Sequence, residues 1–252
     1  MPLTVITPKG APRDGTSPTL LTGYGGYGLS ETPFFDPGLR IWLDHGGVLA
    51  RASLRGGGEF GQAWHDAGRL LKKQNVFDDF VACAEHLVKA GYTSPRRLAI
   101  EGGSNGGLLM GAVLTQRPEL FGAVVSHVGI YDMLRVELSP NGAFNVPEFG
   151  SVRRPEQFRA LLAYSPYHNV KEGTAYPPVL LPAGVNDPRV DPMHSRKMAA
   201  RLQAATGGRS LVLLRPSARS GHGIGTALDE RIALEADVWA FLFAQLGVKV
   251  RD

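Results

Sequence analysis

Cysteine is nearly absent: Cys83 is the one thiol in 252 residues. A single thiol can form neither an intrachain disulfide nor a multi-thiolate metal site, so nothing in the sequence requires an oxidising compartment. No stretch approaches the roughly 20 apolar residues that span a bilayer. The opening MPLTVITPKG lacks both the basic and the apolar segment of an export signal. The expectation is a soluble cytoplasmic protein with no membrane partner. Charge of one sign is also scarce. Lys and Arg number 27 against 23 Asp and Glu, a net of +4, and no basic run reaches five residues. Nucleic acid is therefore not an expected partner. The histidines show no HExxH or comparable spacing, so neither a metal nor any other cofactor is expected.

What the chain does hold is apolar residues, at 43%, with 32 glycines and 18 prolines. The first suffices for a sizeable core, and the other two mark many tight turns. The length and the lack of any Pro/Gly/Ser linker fit one domain over residues 1–252. Short apolar, β-branched runs alternate with segments of helical period, which reads as α/β with a mostly parallel central sheet and helices on both faces. Strands are expected over Leu3–Thr7, Thr19–Thr22, Gly47–Leu54, Arg97–Glu101, Ala123–Val128, Pro178–Ala183 and Ser210–Leu214. The last four look buried on both faces. Helices are expected over Val76–Lys89, Gly106–Gln116, Pro155–Ala163, Pro192–Ala205 and Asp229–Leu246. The stretch 131–154, with Pro140 and Pro147, reads as a long irregular loop of the kind that covers a site.

The segment LAIEGGSNGGLLM at 98–110 runs strand, glycine turn, apolar helix. A serine on such a turn is forced into a strained backbone conformation and projects above the sheet, and small residues two positions either side let strand and helix approach. Gly102 and Gly106 fill those places around Ser104, and the Asn105 amide beside it sits where a helix N-terminus stabilises negative charge. A serine hydroxyl needs an imidazole to take its proton and a carboxylate to orient that imidazole. His222 follows the last strand and Asp187 the one before it, in the order serine, acid, histidine. Asp132 is a rival acid after another strand, and a plain helix cap is the rival role for Asp187. Gly23–Gly28 spells G-x-G-x-x-G with Asp44 about 20 residues on, the form of a dinucleotide site. Pro33 and Pro37 deny it the required helix, so the segment is read as an oxyanion loop carrying Tyr24.

GYGGYG, RGGGEFGQAWH, KKQNVFDDF, YTSPRRLAIEGGSNGGLL, QRPELFGAVV, YSPYHNV, NDPRV and SGHG together resemble, nearly end to end, the catalytic domain of the prolyl oligopeptidase family of serine peptidases. The resemblance implies an α/β-hydrolase fold, a triad of Ser104, Asp187 and His222, and oxyanion donors from Tyr24 and the Asn105 amide. It further implies that Arg189 binds a substrate carbonyl and that Tyr27, Asn105, Ile130, Phe144, Phe149 and Val190 line the pocket. The family typically carries a β-propeller ahead of this domain, which these residues do not include, and Phe144 stands where the family places a tryptophan. The first expectation is accordingly hydrolysis of small acyl esters, with weaker cleavage of short peptides, because amides depend more on remote binding contacts. The alternatives are a proline-specific peptidase represented by its catalytic half and a non-catalytic binding module on the same fold. Self-association through the face a propeller would otherwise cover is a further expectation.

Overall fold

A computed structural model describes residues 1–33, 36–208 and 210–250. Seven strands form one sheet: β1 (Leu3–Ile6), β2 (Thr19–Gly23), β3 (Val48–Ala52), β4 (Leu98–Gly103), β5 (Ala123–His127), β6 (Val179–Gly184) and β7 (Val212–Ser217). Their spatial order is β1-β3-β2-β4-β5-β6-β7, with β1 antiparallel to β3 and every other pair parallel. The helices are α1 (Leu39–Asp44), α2 (Gln62–Asp66), α3 (Gln74–Lys89), α4 (Asn105–Gln116), α5 (Gly142–Phe149), α6 (Pro155–Tyr164), α7 (Pro166–Asn169), α8 (Met193–Ala205) and α9 (Leu228–Leu246).

Period-two alternation splits the strand side chains between two cores. Leu21, Ala50, Leu98, Ile100, Val124 and Leu181 face a cluster built with α3, α4 and α8, whereas Leu20, Leu49, Ala99, Val125 and Leu180 face one built with α9 and Trp42 of α1. Helices thus cover both faces. α4 is buried from Asn105 to Thr115, so it cannot show one polar stripe and is apolar all round. Glycines set how closely it lies. A Cβ on Gly107 would stand 2.5 Å from the Gly129 Cα. We expect Gly107→Ala to lower stability by about 1–3 kcal/mol through overpacking, measured as a fall in thermal midpoint; an unchanged midpoint contradicts this packing account. Cys83, on the inner face of α3, is buried, and burial pushes its thiol up to about 11.

Two expectations need correction. The run at 210–214 is not buried on both faces: β7 is the sheet's edge, and Leu211 and Leu213 are exposed. The strand also starts two residues later and extends to Ser217. The stretch 131–154 is not irregular, since it holds a single 3₁₀ turn, Val136–Leu138, and helix α5. Pro147 lies inside α5 and forfeits one helical hydrogen bond, a loss an eight-residue helix with three buried polar or aromatic anchors, Asn145, Glu148 and Phe149, tolerates. After β2 the chain runs without helix among the described residues until Leu39, so no helix starts at the second glycine of Gly23–Gly28.

Candidate active site

Because β2 and β4–β7 run parallel, the turns that leave them gather at one edge of the sheet. Gly23 of β2 leads into Tyr24, Gly103 of β4 into Ser104, and Gly184 of β6 into Asp187; Ser217 of β7 leads toward His222. Ser104 adopts φ 59°, ψ −117°, a conformation that costs a non-glycine residue about 1–3 kcal/mol. The surrounding framework holds it there: its N–H donates to the His127 carbonyl at 2.9 Å and its carbonyl accepts from Leu108 N–H at 3.0 Å. The small neighbours are obligatory, since a Cβ on Gly102 would lie 2.7 Å from the Gly106 carbonyl oxygen.

Asp187 and His222 come together directly, Oδ2 to Nδ1 at 2.7 Å, with the carboxylate buried and the ring nearly so. The other carboxylate oxygen accepts the N–H groups of Arg189 at 2.8 Å and Val190 at 2.9 Å. Burial pushes the Asp187 carboxyl up, but the hydrogen bond to His222 and these two N–H groups outweigh it and hold the group below the usual carboxylate range. The helix-cap role falls instead to Asp191, whose Oδ1 accepts Met193 N–H at 2.9 Å ahead of α8. Asp132, the rival acid, is spent elsewhere: fully buried, it pairs with Lys197 and Arg135.

No hydrogen bond joins the Ser104 hydroxyl to His222 among the described residues. The two stand on either side of the β5 end, whose His127 binds the Ser104 amide and lines, with Val128, a cavity of about 220 Å³ that also contains His222. Catalytic hydrogen bonds are often long before substrate arrives, and His222 sits in a loop flanked by Gly221 and Gly223, the latter at φ 103°. The Ser104 hydroxyl instead neighbours the Tyr24 phenol. Burial raises that phenol above its ordinary value, the Ser104 contact opposing, so Tyr24 stays protonated and able to donate. The Asn105 N–H, first of α4, has no acceptor within its own helix.

Ser104 opens on a cavity of about 480 Å³. Tyr24, Tyr27, Ile130, Phe144, Arg189 and Val190 line it. Two residues expected on its wall are not there. Phe149 is buried behind Tyr27, their rings edge to face at 5.7 Å, because α5 turns it inward. The Asn105 side chain is likewise buried and donates to the Tyr24 carbonyl at 2.6 Å. In their place the wall gains Leu29, Asn141 and Asn145, of which Asn145 accepts the Tyr27 hydroxyl at 2.6 Å. Periodicity on α5, once it is recognised as a helix, would have found Asn141 and Asn145 four residues apart. No group of three His, Cys, Asp or Glu among the described residues could hold a metal ion, and no helix among them is long and apolar enough to cross a membrane.

Residues 34–249 match the model of the prolyl oligopeptidase family. The chain belongs to that family. Prolyl endopeptidase from Elizabethkingia meningoseptica is 41% identical over 250 residues, 99% of this chain and 36% of its own length. A solved prolyl endopeptidase structure superposes with TM-score 0.96 at 52% identity over 98% of this chain and 36% of its own. A post-proline cleaving enzyme from Rickettsia typhi does so with TM-score 0.95 at 38% identity, over 98% of this chain and 36% of its own. The sheet and its flanking helices are therefore the α/β-hydrolase fold of the catalytic domain in this serine peptidase family, and the chain spans little more than a third of the length of these relatives.

Proposed function

We propose that the chain is the catalytic domain of a prolyl endopeptidase. The observation that carries this reading is the cavity above Ser104: Tyr27, Leu29, Ile130, Phe144 and Val190 give it an aromatic and aliphatic side, and the Tyr27 hydroxyl is already satisfied by Asn145. Phe144 stacks on Tyr27 with centroids 5.7 Å apart, a surface suited to the flat apolar ring of proline, which brings no N–H that needs an acceptor. The first expectation, a preference for small esters, yields to the prolyl alternative because relatives that align along nearly all of this chain include prolyl endopeptidases.

In this mechanism the Ser104 Oγ attacks the carbonyl carbon while its proton passes to His222 Nε2, the nitrogen left over once Nδ1 is bound to Asp187. The negative charge that develops on the carbonyl oxygen is met by the Tyr24 hydroxyl and the Asn105 N–H. Collapse breaks the C–N bond and moves the proton from His222 to the departing amine; water repeats the sequence in reverse and frees the acid. Arg189, exposed at the rim, is placed to bind a carbonyl of the same peptide.

Steady-state kinetics on two short peptide amides differing only in proline or alanine before the cleaved bond test the assignment. One missing methylene in an apolar pocket costs about 10- to 200-fold in kcat/KM, so proline should be favoured by at least about tenfold. Equal values for the two, or a nitrophenyl ester handled well with no prolyl cleavage, would return the ester reading.

A further inference from the structure

Lys73 and Glu148 are both almost wholly buried and lie 3.0 Å apart, far from each other in sequence and away from the reacting atoms. Taking two charges out of water costs several kcal/mol per ion unless the surrounding geometry returns it. The remaining contacts show what that geometry holds. The Lys73 ammonium also donates to the Gly25 carbonyl at 3.0 Å and lies 5.2 Å from the Phe149 ring centroid. The other Glu148 oxygen meets His65 Nε2 at 2.8 Å. Gly25 follows Tyr24, and Glu148 lies on α5 one turn from Phe144 and Asn145.

We propose that Lys73 and Glu148 are positioning residues for the hydrolytic reaction: a buried ionic clamp that fixes the Tyr24–Gly28 loop against α5, setting the spacing between the oxyanion donor and the pocket wall. The loop needs an external hold. It makes no helix, and it carries three residues at positive φ, Gly25 at 63°, Tyr27 at 55° and Gly28 at 64°; a cation bound to the Gly25 carbonyl supplies an anchor that sequence-local hydrogen bonds do not. The clamp rests on Tyr24 acting as oxyanion donor, and a misplacement of about 1 Å at such a donor can cost about 10²-fold.

The test is a cycle of three variants of the 252-residue chain: Tyr24→Phe, the pair Lys73→Met with Glu148→Gln, and all three substitutions together. Replacing both charges leaves neither ion orphaned. The paired variant should unfold cooperatively and lose about 10- to 100-fold in kcat on a prolyl amide, with KM within about threefold of the parent. Added to Tyr24→Phe, it should cost less than about threefold more. A folded paired variant with parental kcat, beside an impaired Tyr24→Phe, overturns the clamp alone. So does a paired loss that multiplies in full on top of Tyr24→Phe, which would mark a role unconnected with the loop. Tyr24→Phe at parental activity overturns the oxyanion reading and the clamp together. Should the paired variant fail to fold, Lys73→Met alone, which leaves Glu148 its His65 partner, is judged by the same criteria.

Discussion

Ser104→Ala should abolish turnover of a prolyl amide for practical purposes, lowering kcat by about 10⁵- to 10⁶-fold, the scale on which a serine hydrolase loses its nucleophile. It should leave the fold intact. Alanine faces the same strain as serine at φ 59°, and the two backbone hydrogen bonds of that turn, to His127 and from Leu108, do not use the side chain. A fluorophosphonate probe gives a second readout: the parent should take up one adduct and the variant none. Parent protein that stays unlabelled while folded would favour the non-catalytic binding module, and a labelled variant would place the nucleophile elsewhere.

Asp187→Asn should lower kcat by about 10⁴-fold with little change in KM. The amide oxygen can still accept the N–H groups of Arg189 and Val190, so the turn that carries both pocket residues survives. The NH2 now faces His222 Nδ1, and that nitrogen must become an acceptor. The proton moves to Nε2, where it blocks removal of the Ser104 proton. Asp187→Ala, by contrast, removes the anchor of the turn as well and should raise KM in addition to lowering kcat. An asparagine variant within tenfold of the parent would mean that the 2.7 Å pair does not serve the reaction, and would reopen the question of the acid.

The parts of this molecule legible from sequence are those governed by local rules. Alternation in Leu20–Leu21 and Leu98–Ile100 announces a two-faced sheet, and GGSNGG announces the strained turn because only small residues permit it. Less legible are features set by distant contacts. Leu211 and Leu213 read as core, since apolar character does not reveal that a strand lies at the edge. Pro147 hid α5, and with it the inward turn of Phe149 and the placing of Asn145 against Tyr27. Lys73, in KKQN, reads as one more surface charge. Its burial depends on Glu148, 75 residues away, and on a helix the local sequence argues against. The pairing of Asp187 with His222 lies between these cases: the order along the chain pointed to it, and Asp132 was separated from it by its own ion pairs with Lys197 and Arg135.

The lone thiol at position 83 has a practical value beyond its packing. Shielded within the helix layer and protonated well above neutral pH, it should ignore a maleimide or disulfide dye until α3 leaves the sheet. Because the chain holds no second cysteine, the labelling rate of each substituted protein is an internal clock for opening of the molecule. A variant that is silent in turnover yet slow to label has lost chemistry rather than shape.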